Sequence, residues 1–138
     1  MADIDVRKVN RTVVERFRSG ADLPHGMHRD RLILLTTTGA RTGREHITPM
    51  MFHRDGDRLL VIASNTGATR HPDWYRNLVA DPRVTVEVGD ERYPVLATPL
   101  TGDERDRVWS SLKESYPFFA DHERQAAREI PVVALTRT

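Results

Sequence analysis

Hydrophobic residues recur along the chain with two different spacings, and these spacings predict its helices and strands. Apolar positions three or four residues apart in 5–19, including Val6, Val13 and Phe17, indicate an amphipathic helix that Gly20 ends. Shorter stretches rich in Leu, Ile, Val and Thr are typical of β-strands. The predicted strands are 31–38, 45–53, 58–64, 83–88, 91–98 and 130–136.

Turn and capping signals separate these segments and predict how they connect. Asp55-Gly56-Asp57 and Gly89-Asp90 each join two neighbouring strands, which makes 45–64 and 83–98 two hairpins. Thr101–Glu104 reads as a capping box that opens a helix. The remaining predicted helices are 72–80, 102–114 and 118–127.

Hairpin-connected strands favour a mostly antiparallel sheet, which sets the predicted fold class. Six curved strands can close into a small barrel and so remove exposed sheet edges. The prediction is therefore an α+β fold in a single domain, 1–138, with helices flanking a six-stranded antiparallel barrel. A sandwich and an open α+β sheet are the competing arrangements.

Composition adds limits to this picture. The chain has 138 residues, 38% of them hydrophobic and 30% charged, which suits one domain with its own core. Cysteine is absent from the sequence, which excludes disulfides, thiolate metal ligands and cysteine nucleophiles.

Apolar runs are strand-sized, and no secretory signal precedes helix 5–19, so the chain is predicted to be cytoplasmic. That basic helix either caps the barrel, which we favour, or touches the inner face of the membrane.

Charge is unevenly placed along the chain. Residues 1–76 carry 13 Lys or Arg and 9 Asp or Glu, whereas 77–138 carry 8 and 11. The N-terminal half is therefore better suited to an anion. Basic residues are scattered among acidic ones, and the net charge is only +1, so no nucleic acid partner is predicted.

A basic turn bracketed by glycines, Gly39–Arg44, is the first candidate for chemistry. Arg41 and Arg44 can each donate forked hydrogen bonds to a phosphate or carboxylate, and Thr42 adds a hydroxyl. Glycines at 39 and 43 let the backbone come close to a ligand. Taken alone, the pattern favours an ordinary hairpin loop, because glycine and basic residues are common in turns.

Two further segments follow that turn. Ala63–Ala68 is a small polar stretch after a strand, and the helix that begins near Pro72 can present N–H groups to an anion. Trp74 and Tyr75 are adjacent, so they are expected on different helix faces, one of them in the core. Asn77, three residues after Trp74, is expected to share its face.

Known nucleophile and metal motifs are missing. None of the six histidines lies in a recognised ligand pattern; His25 and His28 are three apart but in a glycine-containing loop, so no metal is predicted. Neither a G-x-S-x-G elbow nor a nucleotide P-loop occurs. The residues indicate a protein that binds a preformed chemical group.

These segments, in this order, resemble the deazaflavin-dependent nitroreductases of actinobacteria, also called deazaflavin-dependent quinone reductases. The resemblance covers 31–136 and implies a split β-barrel of the FMN-binding type. It also implies coenzyme F420, a 5-deazaflavin with a phosphate and an oligoglutamate tail. The matching residues are Leu34–Gly39, Arg41–Gly43, Thr48-Pro49, Asp55-Gly56, Ala63-Ser64, Gly67-Ala68, Pro72, Trp74-Tyr75, Asn77-Leu78, Pro82, Tyr116-Pro117 and Ile130–Val133.

The resemblance further implies an oxidoreductase that moves a hydride from reduced F420 to a quinone-like, enone or nitro acceptor. The protein would then position its ligands and exclude water. Arg41–Gly43 and the next strand would hold the phosphate, and Ala63–Asn65 with Asp73–Asn77 would cover the ring. Tyr116 would give a hydrogen bond or a proton to the reduced acceptor. The predicted cofactor-binding residues are Gly39, Arg41, Thr42, Gly43, Arg44, His46, Thr48, Pro49, Met50, Met51, Ala63, Ser64, Asn65, Thr66, Gly67, Arg70, Asp73, Trp74, Tyr75 and Asn77.

The chain departs from the family pattern at several positions. Ala40 and His46 stand where arginine is common, and Asn65 stands where lysine is common, while Arg44 and Arg70 can compensate. Phe119 and His122 replace tyrosines that shape the acceptor pocket of the best-known member, so a general quinone or enone acceptor is expected. FMN therefore stays open as the alternative cofactor, and a non-catalytic carrier of F420, flavin or heme as the alternative function.

Overall fold

A computed structural model of the chain describes residues 6–24 and 27–138. Its described part contains a single antiparallel sheet of seven strands in the order β2-β1-β5-β6-β7-β4-β3. The prediction of six strands is therefore one short. The strands are β1 (Leu32–Thr38), β2 (Glu45–Met51), β3 (His53–Asp55), β4 (Arg58–Ile62), β5 (Arg83–Val88), β6 (Glu91–Pro99) and β7 (Val132–Arg137).

The additional strand arises because the segment 45–55 changes partner at Phe52. β2 pairs with β1, with Pro49 opposite Leu34, whereas β3 pairs with β4, with His53 opposite Leu60. The predicted hairpin 45–64 is thus wrong over its first half. β2 and β3 are the two ends of the sheet yet are consecutive in the chain, so the sheet curls until its ends meet at Phe52.

The strand order also places two loops at one end of the curled sheet. Every adjacent pair is antiparallel, and β1 and β4 are separated by β5, β6 and β7, so β1 and β4 run in the same direction. The loops that follow them, 39–44 and 63–72, therefore lie at the same end of the sheet.

Four α-helices flank the sheet in the described residues: α1 (Val6–Ser19), α2 (Asp73–Ala80), α3 (Gly102–Ser115) and α4 (Phe118–Ala126). Position 5 of the first predicted helix lies outside the described residues. None of these four helices is long and apolar enough to cross a membrane. Thr101 precedes α3 as its N-cap, but its side chain makes no capping hydrogen bond, so the predicted capping box does not form.

Three apolar clusters join the helices to the sheet. The two faces of a strand such as β4 contribute to different clusters, because successive side chains of a strand point to opposite faces. In β4, Leu59 and Val61 join the cluster inside the curl, whereas Leu60 faces α3 and α4. Val13 and Phe17 of α1 pack against β1, so α1 caps the sheet as favoured above. Each fully buried aliphatic side chain contributes about 1.5–3 kcal/mol.

Candidate functional site

The loop 39–44, here called the anion loop, is closed by its own hydrogen bonds. The Gly39 N–H donates to the Arg44 carbonyl at 2.7 Å, and the Gly43 N–H donates to the Gly39 carbonyl at 2.9 Å. The Thr42 hydroxyl accepts the Arg44 N–H at 3.2 Å. Gly43 has a φ of +71°, a conformation that favours glycine. The turn is therefore rigid, and its geometry explains why glycine stands at position 43.

Side chains of the anion loop and β2 converge over the backbone of Gly39. A Cβ placed on Gly39 would lie 2.8 Å from His46 Nε2 and 2.9 Å from Thr42 Oγ1. Arg41 and Arg44 are exposed, and neither guanidinium makes a hydrogen bond or ion pair with any described residue. A hydroxyl and an imidazole thus lie close to the Gly39 backbone, and the same loop carries two exposed, unpaired guanidinium groups, a set of donors that is suited to an anion.

Asn77 ties α2 to the anion loop. Its Oδ1 accepts the Ala40 N–H at 3.0 Å, and its Nδ2 donates to the Thr37 hydroxyl at 3.2 Å. Both Asn77 and Thr37 are buried. These two bonds make Asn77 a positioning group for the loop, and its role beside the ring, which the resemblance implies, stays a prediction.

Asn77→Leu is expected to lower the free energy of unfolding by about 1–3 kcal/mol, because the buried Thr37 hydroxyl and the Ala40 N–H lose their partner. Denaturant unfolding measures the loss. Asn77→Asp is the matched control, since it keeps the acceptor for Ala40, and it should be less destabilising. A leucine variant as stable as the wild type would show that the clamp contributes nothing.

The segment 63–68, here called the ring segment, has an unusual backbone. Asn65, Thr66 and Gly67 all have positive φ, at 50°, 52° and 87°. The Gly67 N–H donates to the Ser64 carbonyl, and the Ala68 N–H donates to the Asn65 carbonyl, both at 3.0 Å. Side-chain-bearing residues in this region store strain of about 1–3 kcal/mol each, and such strain clusters at ligand sites.

Arg128 holds the ring segment in this conformation, and sequence reasoning missed it. Its guanidinium donates to backbone carbonyls of this stretch and to His71 Nδ1, which lies at 3.0 Å. Burial lowers the pKa of Arg128, and burial together with the charges of Arg128 and Arg76 lowers the pKa of His71, so a neutral imidazole accepts this bond. The carbonyls that accept from Arg128, at 3.1–3.2 Å, are those of Ala63, Ser64, Ala68 and Arg70.

A seam separates β2 from the end of β4 on this side of the molecule. Past Leu60, β4 is paired only with β7, and β2 is paired only with β1. Met51 of β2 and Ile62 of β4 pack against the same apolar cluster as Tyr116. The predicted residues Thr48–Met51 and Ala63–Gly67 therefore flank one seam, with Tyr116 beside it.

Aromatic residues between α3 and α4 cover this region. The Tyr116 hydroxyl lies 3.1 Å from His53 Nδ1, and the Tyr116 ring contacts Phe118 and Phe119 at centroid distances of 6.1 and 5.9 Å. His122 Nδ1 lies 3.3 Å from the Ser64 hydroxyl and so joins α4 to the ring segment. Sequence reasoning gave no contact for His53 or His122.

The remaining predicted residues lie around α2. Trp74 and Tyr75 are both half-buried and both pack against the inner cluster, so two aromatic rings contact the core where one was expected. Asp73 and Arg70 are exposed. Of the two histidines considered above as metal ligands, His25 and His28, the first lies outside the described residues. Among residues 6–24 and 27–138 there is no cluster that could hold a metal ion.

Comparison with known proteins decides the family. The model of the F420H(2)-dependent quinone reductase family matches residues 7–137. The chain belongs to this family. The match confirms the resemblance seen at 31–136, and it extends over α1 as well.

Relatives within or near this family agree with the assignment. The F420H(2)-dependent quinone reductase Rv1261c of Mycobacterium tuberculosis is 40% identical over 108 residues, which are 76% of this chain and 72% of that protein. The solved structure of an F420-H2 dependent reductase, FDR-A, is 35% identical with a TM-score of 0.69, covering 80% of this chain and 99% of its own. A structure described as a domain-swapped dimer is 32% identical with a TM-score of 0.71, covering 94% and 96%.

Proposed function

We propose that this protein transfers a hydride from reduced coenzyme F420 to a quinone-like acceptor. Membership in the F420H(2)-dependent quinone reductase family supports this proposal, as does 40% identity to a relative with that name. The observation that carries it is the placement of the anion loop and the ring segment at one end of the sheet. The curled sheet, closed at Phe52 and open at the seam, is then a split β-barrel.

The residues present fit a phosphate-bearing deazaflavin. Arg41 and Arg44 have unpaired guanidinium groups among the described residues, and these groups would bind the phosphate together with the Thr42 hydroxyl. Arg70 is exposed in the loop 63–72 at the same end of the sheet, and it would meet the carboxylates of the tail. These charges offset the family arginines and lysine that Ala40, His46 and Asn65 replace.

The ring would lie along the seam, between β2 and the ring segment. F420 supplies a hydride at C5 when it is bound. Ser64, Asn65 and Trp74 would orient the ring, and the aromatic side chains near Tyr116 would exclude water. Tyr116 would donate its phenol proton to the oxygen of the reduced acceptor. The proposal needs no membrane contact, since Val13 and Phe17 of α1 already pack on the sheet.

A titration of the purified protein tests the cofactor. F420 and FMN are added separately while tryptophan fluorescence is followed, with Trp109→Phe used to isolate Trp74, because Trp109 is buried under α4. We expect F420 to quench Trp74. Tight FMN binding without a response to F420 would favour the flavin alternative. A menaquinone turnover assay separates an enzyme from a carrier, which would bind F420 without oxidising its reduced form.

Arg41→Ala is expected to weaken F420 binding by about 1.5–3 kcal/mol, the value of a charge-assisted hydrogen bond, which is roughly a 10- to 150-fold rise in Kd. The same fluorescence titration measures it. Arg92→Ala is the matched control, because Arg92 is exposed at the start of β6, at the opposite end of the sheet. Equal Kd values for Arg41→Ala and the wild type would mean that the loop is only a turn.

A further inference from the structure

His53 contacts the Tyr116 hydroxyl and lines a cavity that also holds charged side chains. The Tyr116 hydroxyl is 3.1 Å from His53 Nδ1, and the two rings meet edge to face at a centroid distance of 5.8 Å. His53 also lines a cavity of about 300 Å³ between β3, β4 and α3. It is lined by His53, Asp55, Arg58, Leu60, Glu104, Arg107, Val108, Ser111 and Leu112.

The partner switch at Phe52 sets this orientation of His53. Phe52 joins the cluster inside the curled sheet, so the next side chain along the strand faces outward, toward α3. His53 is paired with Leu60, whose side chain also faces α3 and α4, and paired residues share one face of a sheet. His53 is half-buried there, where it contacts the Tyr116 hydroxyl and lines the cavity.

Charged groups connect this cavity to solvent. Arg58 donates from Nε to Asp55 at 2.9 Å, and its terminal nitrogen lies 3.5 Å from Glu104. The Glu104 side chain is 50% exposed, and Arg107 is exposed as well. The titratable and charged groups that line the cavity with His53 are thus two carboxylates and two guanidinium groups, from the β3–β4 hairpin and α3. The four groups carry no net charge together, and His53 lines the cavity beside them.

We propose that His53 returns a proton to Tyr116 during turnover and takes that proton from solvent through the cavity. The inference rests on the proposed function, in which Tyr116 donates its proton to the reduced acceptor. An imidazole suits this role because it exchanges protons near neutral pH and has two nitrogens on opposite edges of one ring. With Nδ1 protonated it donates to the phenol oxygen; with Nδ1 bare it accepts from the phenol.

The proposed step balances electrons and protons. The acceptor gains a hydride, and two electrons with it, from the reduced cofactor and becomes an anion. The Tyr116 O–H bond breaks and its proton goes to the acceptor oxygen, which completes the hydroquinone. The resulting phenolate takes the Nδ1 proton of the His53 imidazolium, and the imidazole regains a proton from solvent. Oxidation of the reduced cofactor releases one proton to solvent, so the overall reaction consumes none.

His53→Asn is the decisive variant, because asparagine can still hydrogen-bond to Tyr116 but does not exchange protons near neutral pH. We expect F420 affinity and KM to stay within about twofold of wild type, and kcat to fall at least about tenfold, toward the lower range of proton-transfer catalysis. Added imidazole should restore part of the rate, and the pH profile of kcat should differ from that of the wild type. His28→Asn, which removes an exposed imidazole from the loop before β1, is the matched control.

A readout that needs no cofactor tests the same contact. The ring ¹⁵N shifts of His53 in the free protein report its titration, and Tyr116→Phe should change that titration if the hydroxyl bonds to Nδ1. An unchanged His53 titration in Tyr116→Phe would overturn the proposal, and so would wild-type kcat and an unaltered pH profile in His53→Asn. A slow Tyr116→Phe beside a fully active His53→Asn would leave the proposed function standing without the relay. A wild-type protein that does not oxidise reduced F420 would refute the proposed function itself, and the relay with it.

Discussion

Arg128→Met is expected to lower the free energy of unfolding by about 2–3 kcal/mol and to weaken F420 binding at least tenfold. One guanidinium serves four backbone carbonyls between Ala63 and Arg70, and hydrogen bonds to a charged group contribute about 1.5–3 kcal/mol each. The expected loss in the free energy of unfolding is smaller than the sum of four such bonds, since water can hydrogen-bond to some of these carbonyls once the arginine is gone. Denaturant unfolding and fluorescence titration measure the two effects.

Two control variants accompany Arg128→Met. One tests whether charge alone is enough at position 128, and the other tests whether loss of a nearby arginine in α4 has a general effect. Arg128→Lys keeps the charge but cannot reach the carbonyls as a planar fork, so it should recover only a small part of the loss. Arg124→Met removes an exposed arginine whose partner is the neighbouring Asp121, and it should change neither quantity. Wild-type affinity in Arg128→Met would show that the ring segment keeps its shape without this residue.

The elements of this fold could largely be predicted from the sequence, because each has a local signal. The apolar spacing around Val13 and Phe17 predicts α1, and those same residues form its buried face. The anion loop was also predictable, since the glycine at position 43 is required by a φ of +71°. Local chemistry decides such features, so local patterns reveal them.

Strand partners could not be predicted in the same way. The pattern of 45–53 correctly indicates an extended segment, but the side-chain alternation is identical whether that segment pairs with β1 or with β4. The change of partner at Phe52 depends on the curvature of the whole sheet, which buries Phe52 inside it. A seventh strand and the closure of the sheet follow from this one position.

The site shows the same limit. Arg128 acts on groups 57 to 65 residues away, and an isolated arginine near a chain's end gives no sign of such contacts. His53 lies in a strand and Tyr116 after a helix, 63 residues apart, so their bond is likewise a product of the tertiary fold. The spacing from Trp74 and the family resemblance both indicate Asn77, but its hydrogen bonds to Ala40 and Thr37 depend on the tertiary fold.

The ring segment offers a second variant with a large expected effect, Gly67→Ala. Gly67 has a φ of +87°, and a Cβ there would lie 2.6 Å from Gln125 Oε1 and 3.2 Å from Gln125 Cβ. The left-handed conformation costs an alanine about 1–2 kcal/mol, and the contact with α4 adds to it. We expect a loss of about 2–4 kcal/mol in the free energy of unfolding, together with weaker F420 binding because the segment is pushed away from α4.

The part of this destabilisation that comes from contact with α4 can be isolated by comparing alanine substitutions at two glycines. Gly89, in the turn between β5 and β6, has a φ of +57°, and a Cβ at this position would meet no atom within 4 Å, so Gly89→Ala carries the backbone cost alone. The difference between the two alanine variants then measures the contact with Gln125. Adding Gln125→Ala to Gly67→Ala should recover part of that difference, since it removes the closest atom. Equal losses at Gly67 and Gly89, or no recovery in the double variant, would mean that α4 does not hold the ring segment at this point.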